Sequence, residues 1–89
     1  MEMINVMGDD IINQIAVVDI FENGIHDYSD AEEIVTFDVR ETYVLIELGK
    51  SEREITIELD QIQNILYNGS GSYRILMKSG TIYKFTKIS

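Results

Sequence analysis

The chain reads as an α+β protein: a small, curled antiparallel sheet of four to six strands with one N-terminal helix packed on it. Three observations predict this. Between residues 34 and 59, apolar residues recur at every second position in three successive runs, the period of a half-buried strand. Two more such runs flank Ser79-Gly80 near the C-terminus, the signature of a hairpin. At the other end, Asp9 and Asp10 precede apolar residues at helical spacing. A small all-β barrel is the alternative if the N-terminal segment is extended.

Taken in order, Asp9 or Asp10 is positioned to cap a helix whose buried face is Ile11, Ile15 and Val18. The run Ile15-Ala16-Val17-Val18-Asp19-Ile20-Phe21 is rich in β-branched residues and pulls toward a strand, and Asn23-Gly24 suits both a helix end and a type I′ turn. The helix is the preferred reading. Ser29 and Glu32 fit a capping box for a brief helical turn. In the strand over 34–40, Val35, Phe37 and Val39 form the apolar face, and near Arg40-Glu41-Thr42 the phase shifts to Val44, Ile46 and Leu48, which predicts a hairpin. Gly49-Lys50-Ser51-Glu52 supplies the next turn, and Ile55, Ile57 and Leu59 the third strand. Asp60 is a candidate N-cap for a short helix over 61–66 facing inward through Ile62, Ile65 and Leu66. Asn68-Gly69-Ser70-Gly71-Ser72 is a loop, and the closing hairpin pairs residues 73–78 with 81–86.

At 89 residues the chain is expected to form one domain, 1–89, with a single modest core. It has no cysteine, which excludes disulfides and thiolate metal sites, and neither a signal peptide nor a membrane span is expected; a cytoplasmic location fits. Charge is the strongest signal. Of the net −9, residues 1–60 contribute −13, with all sixteen acids against Arg40, Lys50 and Arg53, while residues 61–89 contribute +4 through Arg74, Lys78, Lys84 and Lys87. Carboxylates within a Debye length of about 8 Å reinforce one another and steer basic surfaces toward them, although acidity also serves solubility alone.

Motifs for catalysis are missing. His26 is the only histidine and, in a strand, Asp27 does not face it. The glycines at 69 and 71 lack phosphate-loop order, and the oxygens of Asp27, Asp30, Glu32 and Glu33 lack calcium-loop spacing, so no cofactor and no metal is expected. Of the tyrosines at 28, 43, 67, 73 and 83, Tyr28 stands out, because an aromatic ring among carboxylates can receive an arginine on its face. A binding surface is therefore predicted at Asp19, Glu22, Asp27, Tyr28, Asp30, Glu32, Glu33, Asp38 and Glu41.

Leu59-Asp60-Gln61-Ile62-Gln63-Asn64-Ile65 with the hairpin Tyr73 to Tyr83 resembles the strand, short helix and hairpin pattern of LytTR-type DNA-binding domains and bacterial PH-like modules. That resemblance implies nucleic-acid contact, which the acidic first sixty residues oppose. In size and charge the whole chain resembles small acidic phage inhibitors, including anti-CRISPR proteins and DNA mimics, and the acidic immunity proteins that neutralise nucleases. This second resemblance implies a non-catalytic inhibitor whose carboxylates replace phosphates on a basic nucleic-acid-binding protein or nuclease. The alternative is an assembly module that forms a homo-oligomer through a sheet edge and its opposite-sign segments.

Overall fold

In the computed structural model, which describes residues 2–88, the first helix lies earlier than predicted. Helix α1 spans Glu2–Ile11 and buries Ile4, Met7 and Ile11 completely. Asn13, at φ 61°, ends it in the left-handed conformation that asparagine tolerates at a helix C-terminus. Asp9 and Asp10 therefore sit in the last turn, not at an N-cap. Ile15–Glu22 is strand β1, burying Ala16, Val18 and Ile20, so the β-branched residues decide that segment. Asn23 and Gly24, at φ 52° and 83°, turn it as a type I′ hairpin would.

The strands that follow are β2 (Ile25–Val39), β3 (Tyr43–Leu48), β4 (Glu54–Glu58), β5 (Ile62–Tyr67), β6 (Ser72–Met77) and β7 (Ile82–Lys87). They form one antiparallel sheet of seven strands in the order β4-β3-β2-β1-β7-β6-β5, more than the four to six predicted. The sheet is curled but open: β4 and β5, linked by a 3₁₀ turn at Leu59–Gln61, are its two ends and do not pair. Three segments read as helical are extended; two of them supply strands beyond those predicted and the third lengthens β2. Ile15–Glu22 is a strand, the Ser29/Glu32 capping box dissolves into β2, and Ile62–Tyr67 is a strand preceded by the 3₁₀ turn.

Strand β2 serves both halves of the sheet. Its first half pairs with β1 and its second half with β3, with irregularities at Asp27 and Val35. Before Val35 the even residues Glu32 and Ile34 are buried; after it, Phe37 and Val39 pack against the core. Val35, predicted on the apolar face, lies in the bulge and is 43% exposed. Such a bulge adds one residue to one strand, which bends it and exchanges its faces.

One core gathers residues from α1 and all seven strands, including Ile46, Ile57, Ile75 and Phe85. The helix enters it through Gly8, where an added Cβ would stand 2.5 Å from Cδ1 of Phe37. Alanine in a helix is ordinarily favoured over glycine by about 1 kcal/mol, but overpacking a core costs about 1–3 kcal/mol. Gly8→Ala should therefore lower stability by roughly 1 kcal/mol in chemical denaturation, and Phe37→Leu in the same chain should recover part of that loss. A stabilised Gly8→Ala protein would show that helix and sheet do not meet this closely.

Candidate functional site

The nine predicted site residues do not share one face. In antiparallel pairing, directly opposed residues project to the same side. Tyr28, Asp30 and Glu32 oppose Ile20, Val18 and Ala16 and so lie on the core-facing side of β2. Asp19 and Glu33 lie on the outer side, opposite Ser29 and Ile15. Asp38 lies on the outer side of the second half, opposite Leu45. Asp27 is exposed at its bulge, Glu41 is exposed in the β2–β3 turn, and Glu22 accepts a 2.8 Å hydrogen bond from Thr81 Oγ1 at the far end of β1.

The core-facing trio is a structural clamp. Glu32, 1% exposed, accepts the backbone N–H of Lys50 at 2.9 Å, that of Ser51 at 3.0 Å, and the hydroxyl of Tyr28. Lys50 Nζ lies 2.9 Å from both carboxylate oxygens of Asp30, and the Arg53 guanidinium carbon sits 4.2 Å from the centre of the Tyr28 ring. The arginine that Tyr28 was expected to receive is thus the chain's own. Together these contacts pin the Gly49–Arg53 turn to β2, and Gly49 donates a further 2.9 Å bond to the Glu33 carbonyl. Burial alone would push the Glu32 carboxyl up, but the Ser51 and Tyr28 hydroxyls and the Ser51 and Lys50 amides hold it below the usual range. The Lys50 ammonium, then the Ala31 amide, lower Asp30 likewise.

A second clamp involves none of the predicted site residues. Asp10 receives Lys87 Nζ at 2.7 Å and the Tyr73 hydroxyl at 2.8 Å. Lys87 and Tyr73 hold its carboxyl below the usual range, and burial with Asp10 pushes Tyr73 up. A carboxylate in the last turn of a helix opposes the helix dipole, and Lys87 answers it.

The acids that remain unpartnered are mostly ones the sequence reading passed over. The outer side of β2–β3–β4 carries Asp38, Glu47, Glu54 and Glu58, with Glu47 and Glu54 directly opposed. Only Asp38 is answered, by Arg40 at 2.7 Å. Beside this surface, Glu41, Thr42, Glu58, Leu59 and Asp60 line a cleft of about 380 Å³. Among the described residues no hydrogen bond or ion pair engages the side chains of Glu41, Glu47, Glu54, Glu58 or Asp60. Glu54, Thr56 and Glu58 alternate in sequence with Ile55 and Ile57, the pattern that turns them outward in a half-buried strand; the register that sets Glu54 against Glu47 depends on the intervening turn.

His26 bonds to Asp19 at 2.8 Å and stacks on Phe21, in keeping with a satisfied surface histidine. Among the described residues no group of three or more histidine or acidic side chains is placed to hold a metal, and no helix is long and apolar enough to cross a membrane. Comparison with protein families, with characterised proteins and with solved structures returns no match.

The clamp has a pH signature. Because the folded Glu32 carboxyl lies below its ordinary value of 4.5, its ionised form stabilises the fold above that pH, and the contribution disappears as pH falls from 4.5 through the folded value. Asp10 and Asp30, lowered from 3.8, act in the same direction further down. Glu32→Gln should lose about 1–3 kcal/mol at neutral pH and show a flatter decline of stability below 4.5 than the parent. Parallel stability curves in urea at several pH values would show that Glu32 is not the titrating clamp.

Proposed function

We propose that this chain is a non-catalytic binding protein whose acidic surface occupies the basic, nucleic-acid-binding surface of another protein, such as a nuclease, and keeps nucleic acid out. The observation that carries this reading is the set of unpartnered carboxylates on β3, β4 and the adjoining cleft, above all the directly opposed Glu47 and Glu54. Like charges opposite one another on a sheet are destabilising, and here no lysine or arginine relieves them. A surface that presents repeated negative charge on rigid strands meets the arrangement of lysine and arginine that binds phosphates, and it gains the same steering and charge-assisted hydrogen bonds. The cleft adds a place for one basic side chain between Glu41, Glu58 and Asp60. An inhibitor of the anti-CRISPR or immunity-protein type is the class this describes.

The reading shifts the binding surface from the residues around Asp27 to Asp38, Glu41, Glu47, Glu54, Glu58 and Asp60. Asp30 and Glu32 belong to the clamp and are spent on the fold. Self-association is the second reading, favoured by the unpaired β4 edge and by cations on β6 and β7 at the other end of the sheet. Light scattering at low and high salt separates it, since a salt-sensitive homo-oligomer belongs to that reading alone.

Glu54→Lys discriminates further, because it replaces a like-charge pair with an opposite-charge one. It should raise stability by up to about 1 kcal/mol while weakening partner binding. The wild-type chain, used as bait in a bacterial lysate, should retain a basic nucleic-acid-binding protein that added duplex DNA releases and that Glu54→Lys with Glu58→Lys fails to retain. Capture that persists in the charge-reversed chain and in excess DNA would remove the acidic surface from the mechanism.

A further inference from the structure

The outer side of the other half of the sheet carries a like-charge pair of opposite sign. Arg74 on β6 and Lys84 on β7 are directly opposed, and Phe21 on β1 is directly opposed to Ile82 on β7. Ile82 and Lys84 are two residues apart on one strand, so all four side chains project to one side. With Gly24 of the β1–β2 turn they line a groove of about 220 Å³. Among the described residues neither Arg74 nor Lys84 has an ion-pair partner. The carboxylate beside Lys84, Asp19, is engaged by His26.

We infer that this groove binds a small anion carried on an aromatic ring, with the ring against Phe21 and Ile82 and the anionic group between Arg74 and Lys84. Asp19 lies opposite Lys84 on the side away from Arg74, so the space between the two facing cations holds no carboxylate; an anion there would make their proximity favourable, and the apolar floor beside them is what a ring needs. Size sets the class. A cavity of about 150 Å³ accepts benzene, whereas drug-sized ligands take at least about 300 Å³, so this groove holds one ring and its charged substituent. A polyanion is disfavoured because the chain carries −9 overall, but the two cations act within a Debye length of about 8 Å, where a monomeric ligand sits. Mononucleotides and aromatic carboxylates share this chemistry. The site lies on the outer side of β6, β7 and β1, away from the acidic surface on β3 and β4, and stands or falls independently of it.

Nuclear magnetic resonance titration of the isotope-labelled full chain tests it. Adenosine monophosphate and 1-naphthoate, added separately, should shift the amides of Phe21, Gly24, Arg74, Ile82 and Lys84 saturably, with affinity in the range of about 0.1–1 mM for ligands of this size. The tighter of the two identifies the source as nucleotide or aromatic carboxylate. Inorganic phosphate and adenosine each lack half of the ligand and should bind about tenfold more weakly or worse. Arg74→Gln with Lys84→Gln should abolish the response, Phe21→Leu should weaken it several-fold, and Lys78→Gln, on a cation outside the groove, should leave it intact. Relief of the like-charge pair keeps the double variant folded, which its own spectrum verifies. Absence of saturable shifts with both probes up to roughly 10 mM, shifts that survive the double variant, or phosphate binding as well as adenosine monophosphate would each overturn the inference.

Discussion

Strand β2 runs for 15 residues, which at about 3.3 Å per residue would reach roughly 50 Å if straight, in a molecule whose longest extent is 29 Å. It has to bend, and nearly everything else depends on where. The bulge at Val35 divides it into one half that pairs with β1 and one that pairs with β3. Because the bulge also exchanges the faces of the strand, Ile34 and Phe37 both reach the core from either side of it. Glu32 sits just before the bend, buried, and gathers the backbone of the β3–β4 turn onto it. Gly49 permits the approach, since a Cβ there would lie 3.0 Å from Val35 Cγ1. Bend and clamp are thus one device: the bulge makes the corner and the carboxylate holds what the corner brings together.

A chain with −9 of net charge folds against its own repulsion, and the two clamps show how the load is divided. Carboxylates close to the core are answered by geometry. Glu32 has two amides and a hydroxyl, Asp30 has Lys50, and Asp10 has Lys87 with Tyr73. Those on the outer side of β3 and β4 have no hydrogen-bond or ion-pair partner among the described residues. Four of the seven lysines and arginines are committed, Arg40, Lys50 and Lys87 to carboxylates and Arg53 to an aromatic ring. Arg74 and Lys84, left over, oppose each other on the far half of the sheet rather than neutralising Glu47 and Glu54.

The hairpins around residues 40–42, 49–53 and 78–81 were readable in sequence because two-residue alternation on both sides of a turn has one simple interpretation. The misread segments each had a local alternative that a distant contact outweighed. Ile62 and Ile65 sit three residues apart on one face because Gln63 is skipped in the register with β6, so a bulged strand imitates helical spacing. Ile11 completes an apolar stripe with Ile4 and Met7 and equally with Ile15 and Val18; pairing of β1 on both edges, by β2 and β7, decides between them. Ser29 and Glu32 have capping-box spacing, but the amides that Glu32 accepts belong to Lys50 and Ser51, which sequence proximity could not indicate. For the same reason the acidic run at 27–33 looked like a surface when half of it is scaffold.

That division bears on which acids are available to act on anything else. A carboxylate that holds a turn or a helix end cannot be removed without loosening the fold, so its presence has a structural explanation already. Glu41, Glu47, Glu54, Glu58 and Asp60 have none: among the described residues their side chains make no hydrogen bond and no ion pair, and Glu47 and Glu54 directly repel each other. Arg74 and Lys84 likewise form no ion pair among the described residues, although Asp19 on β1 stands opposite Lys84. Stability would improve if these pairs were mixed rather than sorted, and the sheet offers ample opportunity for mixing, since Thr36 and Thr56 occupy neutral positions beside the acids. The sorted charges therefore act against folding and have no counterpart in the packing of the core on the concave side.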